Sequence, residues 1–425
     1  MAFPRVSSQL FFFCLARIVG SYTVFETTCA KPTTSANFVS SPDSRGTLDI
    51  LWSCLFTIIA CTWTIQHPNI PEQRNGDVKS PWQSIYENAK WMVFTALAPE
   101  VIIMAAVHDL LAAMESYQKL QEFAEKDGLE WTLTHCFYAN MGGFVIRIRA
   151  KEGLEYHNPY HLTANDIHRL RKERVLQTLP SITKEEIDDK SKSDSFVKAL
   201  AVTQILWTTL QIVVRAARKL PISQLELAVL AFAVCAVIIY VLYWNKPKSV
   251  RTTTVIEEYD DGIPSEVLRL LNDSSTNIEL IKDFFFPLIN DHFESPQQGS
   301  PLSIDTFTDI GHGKLIAYLG VLSLLLFGGI HIGAWNFAFP SRAELILWRC
   351  ASIFTSAFGV FMLLLGYTEI YVTLPIRLFK VAVLVSSCLY VIARLFILVE
   401  LFRTLCFLPP EAFSSTWTSN IPHVS

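Results

Sequence analysis

Charge is scarce in this chain: Asp, Glu, Lys and Arg make up 17% of its 425 residues, against about 25% in a soluble domain. The charge present nearly balances, with a formal net of −4 and acids and bases interspersed. A nucleic-acid footprint needs a basic face or stripe, so that class of partner is excluded. Metal-ligand spacing is missing as well. The nine cysteines stand at 14, 29, 54, 61, 136, 235, 350, 388 and 406, with no CxxC or Cys/His pattern of zinc-site spacing. Most lie in apolar runs, where Cys behaves as a small hydrophobe, and Cys54 and Cys61 share one helix face as packing residues. There is no Walker loop, GxSxG, HExxH or dinucleotide glycine pattern, and no paired-acid motif of the prenyl-diphosphate kind. The sequence therefore implies no cofactor, no metal and no catalytic set.

What is abundant is apolar sequence: 51% of residues are hydrophobic and the mean hydropathy is +0.32. Runs of about 20 such residues are long enough to cross a bilayer. The fold class expected is an all-α polytopic membrane protein, a bundle of six or seven transmembrane helices with two small polar segments. Residues 1–21 have a signal-peptide shape, with Arg5 ahead of a short apolar core that Arg17 interrupts. Residues 22–48 form an extramembrane N-terminal loop. Residues 49–112 hold a first span, Asp49–Gln66, with Trp52 and Trp63 near its ends as in an aromatic belt, and an ambiguous one, Trp91–Ala112. That second stretch carries Pro99, Glu100, His108 and Asp109, so it faces a protein interior or lies at the interface.

Residues 113–195 are a polar α+β segment. In it Phe144–Arg149 alternates as a strand after a Gly142-Gly143 turn, and Thr163 with Asp166, then Thr183 with Glu186, open helices as capping boxes. Residues 196–244 form a hairpin of spans Phe196–Val214 and Leu225–Trp244. Residues 245–313 are a second polar segment, with a helical piece over Pro264–Leu271, an aromatic cluster at 284–286 and a linker at 295–301. Residues 314–403 hold three more spans, Lys314–Phe337, Leu345–Tyr367 and Leu378–Phe402, and 404–425 are a tail opened by Pro409 and Pro410. Neither polar segment has the apolar pattern of a large core, so small caps on the bundle are expected.

Lys and Arg near span ends mark the cytosolic side. Lys190, Lys192, Lys198, Lys246, Lys248, Arg251, Lys314, Arg377 and Lys380 outweigh Arg215, Arg218, Lys219, Arg342 and Arg403 on the other side. Both polar segments are expected in the cytosol. The N-terminus then lies outside only if Trp91–Ala112 fails to cross, or enters and returns. The sequon at Asn272 would be cytosolic and unused.

Charged groups inside a bilayer are expensive and mark function or structural ion pairs. Those here are Glu100, Asp109, Arg215, Glu226, Arg349, Glu369, Arg394 and Glu400. Arg394, mid-span, calls for a buried acidic or carbonyl partner, with Glu226 or Glu100 to supply the acid. Arg349 and Glu344, near a span end, are expected to snorkel. His331, among small residues in GGIHIGAW, is either a proton site or a packed, hydrogen-bonded residue. The intramembrane polar site expected comprises Arg394, Glu226, His331 and Glu100.

Four blocks carry a resemblance: RGTLDILWSCLFTIIACTWTIQHPN (45–69), KLPISQLELAVLAFAVCAVIIYVLYWNKP (219–247), GGIHIGAWNFAFPSRAELILWR (328–349) and YVIARLFILVELFRTLCFLPPEAF (390–413). Their order and spacing resemble a group of fungal multi-pass membrane proteins with no assigned activity. The resemblance implies a shared bundle and a fungal source, and supplies no catalytic residues. Three functions stay open: a channel, transporter or receptor-like protein; a membrane-embedded enzyme or accessory factor for lipophilic substrates, as in fungal secondary metabolism; and a scaffold whose cytosolic segments bind protein partners. Besides the lipid bilayer no partner is specified, any small-molecule ligand is unknown, and plasma and internal membranes are not distinguished.

Overall fold

A computed structural model describes residues 44–70, 73–74, 77–78, 81–148, 159–191, 195–260, 262–272, 313–372 and 375–416. The signal-like start, the aromatic cluster at 284–286 and the linker at 295–301 lie outside them. Among the described residues there are twelve α-helices and five short strands.

The chain opens with α1 (Thr47–Thr64), then a two-residue ribbon, β1 (Gln73–Arg74) with β2 (Asp77–Val78). Next come α2 (Pro81–Leu97) and α3 (Pro99–Asp127). The stretch read as Trp91–Ala112 is thus no single helix. Proline lacks the N–H and crowds the carbonyl four residues back, and Ala98, at φ −145° and ψ 66°, leaves the helical region ahead of Pro99. The two helices meet at 111°. Gly128, left-handed at φ 65°, then ends α3.

The polar region follows: α4 (Leu133–Asn140), β3 (Phe144–Ile148), β4 (Tyr160–Leu162), α5 (Ala164–Lys172) and α6 (Lys184–Lys190). Both expected capping boxes are present. Thr163 Oγ1 accepts from Asp166 N at 3.2 Å while Asp166 accepts from Thr163 N at 2.9 Å, and Thr183 and Glu186 repeat the exchange. Two long helices, α7 (Ser195–Ala217) and α8 (Gln224–Leu242), make the first hairpin. Then come β5 (Thr254–Tyr259), α9 (Ser265–Asn272), the long helices α10 (Gly313–Ile332), α11 (Arg342–Val372) and α12 (Ile376–Arg403), and two 3₁₀ turns to Phe413.

Six of these helices, α1, α7, α8, α10, α11 and α12, are long and apolar enough to cross a membrane, and the bent α2–α3 pair would make seven if it counted as one span. In the bundle α10 lies against α11, α3 and α8, and α1 against α7 and α8. Where α10 meets α11 the backbones nearly touch at Gly328 and Ser356. Small residues permit such an approach.

The polar segments do not form separate caps. β3 pairs antiparallel with β4 and parallel with β5, giving a three-stranded sheet in the order β4-β3-β5. One cap is therefore built from both segments. The Tyr138 hydroxyl lies 3.0 Å from Thr254 Oγ1 and donates to Thr252 O at 3.2 Å, and Ser191 Oγ donates to Lys248 O at 3.1 Å. Trp131, Phe137, Tyr138, Phe144 and Leu170 are fully buried between them. Burial pushes the Cys136 thiol and the Tyr138 phenol up to about 12 each. The cap core continues into the bundle through Leu120 and Ala124 of α3.

Candidate functional site

The break between α2 and α3 creates the polar centre of the bundle. A helix that stops leaves its last carbonyls without partners. Arg394 Nε donates to one of them, Leu97 O, at 2.7 Å, and its guanidinium stacks 4.3 Å from the centre of the Phe327 ring. The expected partner of Arg394 is therefore a carbonyl and an aromatic face rather than an acid. Neither Nη of Arg394 has a hydrogen-bond partner among the described residues. Taking about 1.5 Å per residue, Arg394 stands about 27 Å from the Ile376 end of α12 and about 13 Å from its Arg403 end.

Glu100 sits in the first turn of α3, where the helix dipole favours an anion. It is 2% exposed. The Tyr390 hydroxyl donates to its Oε1, and its Oε2 has no partner among the described residues. Tyr390 and Arg394 are one turn apart on α12, hence on one face. The acid and the base flank the same stretch of helix without bonding each other.

His331 joins this cluster as a packed residue. Its Nδ1 donates to Phe327 O at 2.9 Å, its ring lies 4.8 Å from that of Phe327, and its own carbonyl accepts from Trp348 Nε1 at 3.2 Å. Arg394 and His331 lie against the same Phe327 ring.

Glu226, expected beside Arg394, lies elsewhere. Ser223 and Glu226 form the capping box that starts α8, with Ser223 N and Oγ donating to Glu226 Oε2 at 2.8 and 2.9 Å. Glu226 belongs to a latch at the end of the bundle away from the cap. Arg45 binds it, and Arg215 donates to the carbonyls of Pro221, Ala412 and Ser414 at 2.8–3.1 Å. Gln224 Nε2 adds a bond of 2.7 Å to Ala338 O.

The remaining charges are accounted for locally. Asp109 pairs with Lys246 at 2.6 Å and accepts from the Tyr243 hydroxyl at 3.0 Å. Arg403 bridges Glu344 at 2.6 Å and Glu400 at 3.4 Å, so Glu344 is paired instead of snorkelling. Arg349 turns to Trp335, through its carbonyl at 2.8 Å and over its ring. The Glu369 side chain lies outside the described residues. No group of three metal-binding side chains occurs among the described residues.

A model of a family of unknown function (DUF8562) matches residues 18–284. The chain belongs to that family. No curated protein matches it, and no solved structure does. The DUF8562 match takes in Glu100, Glu226 and the whole α2–α3 break, and stops short of α10. Tyr390, Arg394 and His331 thus come from the part of the chain beyond the match.

Sequence reasoning missed Tyr390 and Arg45. Tyr390 precedes Arg394 by one helical turn, a readable signal for a shared face. The Ser-Gln-Leu-Glu run at 223–226 is likewise a readable capping box, and it would have moved Glu226 from mid-span to a helix start.

Proposed function

We propose that this chain is a multi-pass integral membrane protein of six spans, with α2–α3 as a re-entrant pair, and that it works as a transporter- or channel-like protein at the break in that pair. The observation that carries the reading is Glu100 Oε2, a buried acceptor with no partner among the described residues, held across Tyr390 from an Arg394 whose Nη groups are likewise open among them. An ionisable group at depth in a bilayer is costly and marks a ligand or ion path. Irregular backbone at that depth is tolerated where protein surrounds it, and the ends of broken helices are where transporters hold polar guests. A scaffold would pair every buried charge, as the latch does. An enzyme for lipophilic substrates would bring two or more acids together at an open site; beside the helix break Glu100 stands as the one acid, and the two acids that do converge, Glu344 and Glu400, are bridged by Arg403.

The geometry also supports a topology. Ile70, eleven residues ahead of α2, donates its N–H to Met141 O of the cap, and Asp127 at the end of α3 binds Arg171 of the cap. The pair enters and returns on the cap side, so it adds no crossing. With Lys190, Lys246 and Lys248 at that end, the cap is cytosolic, the turn between α7 and α8 is on the far side, and the Asn272 sequon is unused.

The test is made in the organism of origin, whose fungal nature is part of the proposal. Glu100→Gln and Arg394→Gln are each expected to give the phenotype of deleting the gene, at unchanged protein level in carbonate-washed membranes. Wild-type behaviour of both variants would overturn the site, and release of the protein by the wash would overturn membrane insertion.

A further inference from the structure

The cap carries a second feature, independent of the helix break. Among the described residues β5 is paired on one side only, with β3. Its other side borders an open cleft of about 690 Å³, whose opposite wall is the bent, irregular stretch from Leu176 to Ile182 and the face of α6. The Thr254 N–H is turned inward to Gly143 O at 2.7 Å. Successive residues of a strand point their backbone groups to opposite edges, so Val255, next to Thr254, presents its N–H and C=O to the cleft, and a register shift against β3 between Val255 and Glu257 interrupts the alternation beyond it. β5 lines the cleft over Thr254–Glu257, about 13 Å at 3.3 Å per residue, and an exposed strand edge is where a bound peptide adds a strand. An unprotected strand edge of this kind is otherwise a liability.

The charge around the cleft selects the occupant. Glu186, Asp189 and Glu257 line it against a single base, Lys190. Lys190 is already engaged, 3.0 Å from Thr254 Oγ1 and 3.4 Å from Thr253 O. Asp189 and Glu257 make no hydrogen bond or ion pair among the described residues. The free capacity is thus backbone hydrogen bonding along one wall and two unspent carboxylates beside it.

We propose that this cleft binds an extended, Lys- or Arg-bearing peptide segment of a partner protein, which adds a fourth strand to the sheet at β5. Backbone pairing holds the peptide, and Asp189 and Glu257 choose its charge. Because it lies on the cap, this site stands or falls separately from the role of Glu100.

The test uses the full chain in phosphatidylcholine nanodiscs, a neutral lipid that does not attract the probe. The probe is the fluorescein-labelled octapeptide Lys-Val-Lys-Thr-Lys-Val-Lys-Thr, followed by anisotropy. Saturable binding is expected. It should weaken by about tenfold or more in the double variant Asp189→Lys/Glu257→Lys, and by a similar factor when alternate peptide nitrogens are methylated. The methylated probe needs no variant, so it decides the matter even if the double variant misfolds. Absence of saturable binding overturns the proposal. So does binding that ignores both changes, and so does a cleft found occupied by a second copy of this chain.

Discussion

Arg45 grips Glu226 through both carboxylate oxygens, at 2.6 and 3.2 Å, and joins the start of α1 to the start of α8. The same guanidinium donates to Ala412 O at 2.9 Å, and the Arg45 N–H to Phe413 O at 2.9 Å. Three distant parts of the chain are closed on one another by this residue. Removing one partner of a buried pair leaves the other charge unpaired, at about 3–5 kcal/mol. Arg45→Ala and Glu226→Gln are therefore expected to lower the thermal unfolding midpoint in detergent markedly. Arg45→Met combined with Glu226→Met should fall less than the two single losses added. A midpoint unmoved by either single change would show that the latch carries no stability.

The long helices were legible because each apolar run is close to a bilayer's thickness, and the α5 and α6 starts because Thr163 and Thr183 each stand three residues ahead of an acid. Other features were hidden for physical reasons. Arg45 lies in a polar stretch where composition alone reads as loop, and its partner is far off in sequence. β5, with sequence TVIEEY, loses its alternation at Glu257-Glu258, and its partner β3 lies on the other side of two long helices. Parallel pairing across such a separation leaves no local trace. The α2–α3 break was half legible. Pro99 marked it, but the Leu97 carbonyl it sets free became a site only when α12 brought Arg394 to it.

The contact of α10 with α11 allows a paired test. A Cβ at Gly328 would come 2.6 Å from Ser356 Cα and N, whereas one at Gly329 meets nothing within 4 Å. Backbone cannot swing aside as a side chain does, so Gly328→Ala must part the helices. Overpacking of this kind costs about 1–3 kcal/mol. Gly328→Ala should lower the unfolding midpoint and Gly329→Ala should leave it nearly unchanged. Equal midpoints for the two variants would argue against this helix contact.

His135 gives the cap a pH dependence. Burial pulls its imidazole below the ordinary value, partly offset by the bond from Nε2–H to Ile182 O at 2.9 Å and by Glu130, Glu185 and Asp188. Nδ1 accepts from Thr132 N at 3.1 Å, so the folded ring is neutral and has no room for a second proton there. The folded value lies below the unfolded one of about 6.5. The stabilisation is complete above pH 6.5 and is lost as pH falls from there toward the folded value. Hydrogen exchange in 131–140 should accelerate, relative to the bundle, between pH 7.5 and 5.5. His135→Gln, which keeps a donor for Ile182 but does not titrate, should flatten the profile. An equally steep profile in that variant would assign the effect to another group.

Cys388 tests whether lipid surrounds the bundle. It lies near the middle of α12 and is exposed, with none of the described residues covering it. A bilayer around α12 would shield it from a water-soluble reagent. In sealed vesicles a water-soluble maleimide should leave Cys388 unmodified, with sites read by mass spectrometry of peptides. Detergent and denaturant should make it reactive. Two added thiols report sidedness: Gln177→Cys, exposed on the cap, and Arg218→Cys, exposed at the turn between α7 and α8. Six spans with a re-entrant α2–α3 place these on opposite faces, Gln177→Cys on the cytosolic one. Ready modification of Cys388 in intact vesicles would remove α12 from the bilayer. Labelling of both added thiols from one face would break the hairpin topology, and with it the placing of Glu100 and Arg394 at depth.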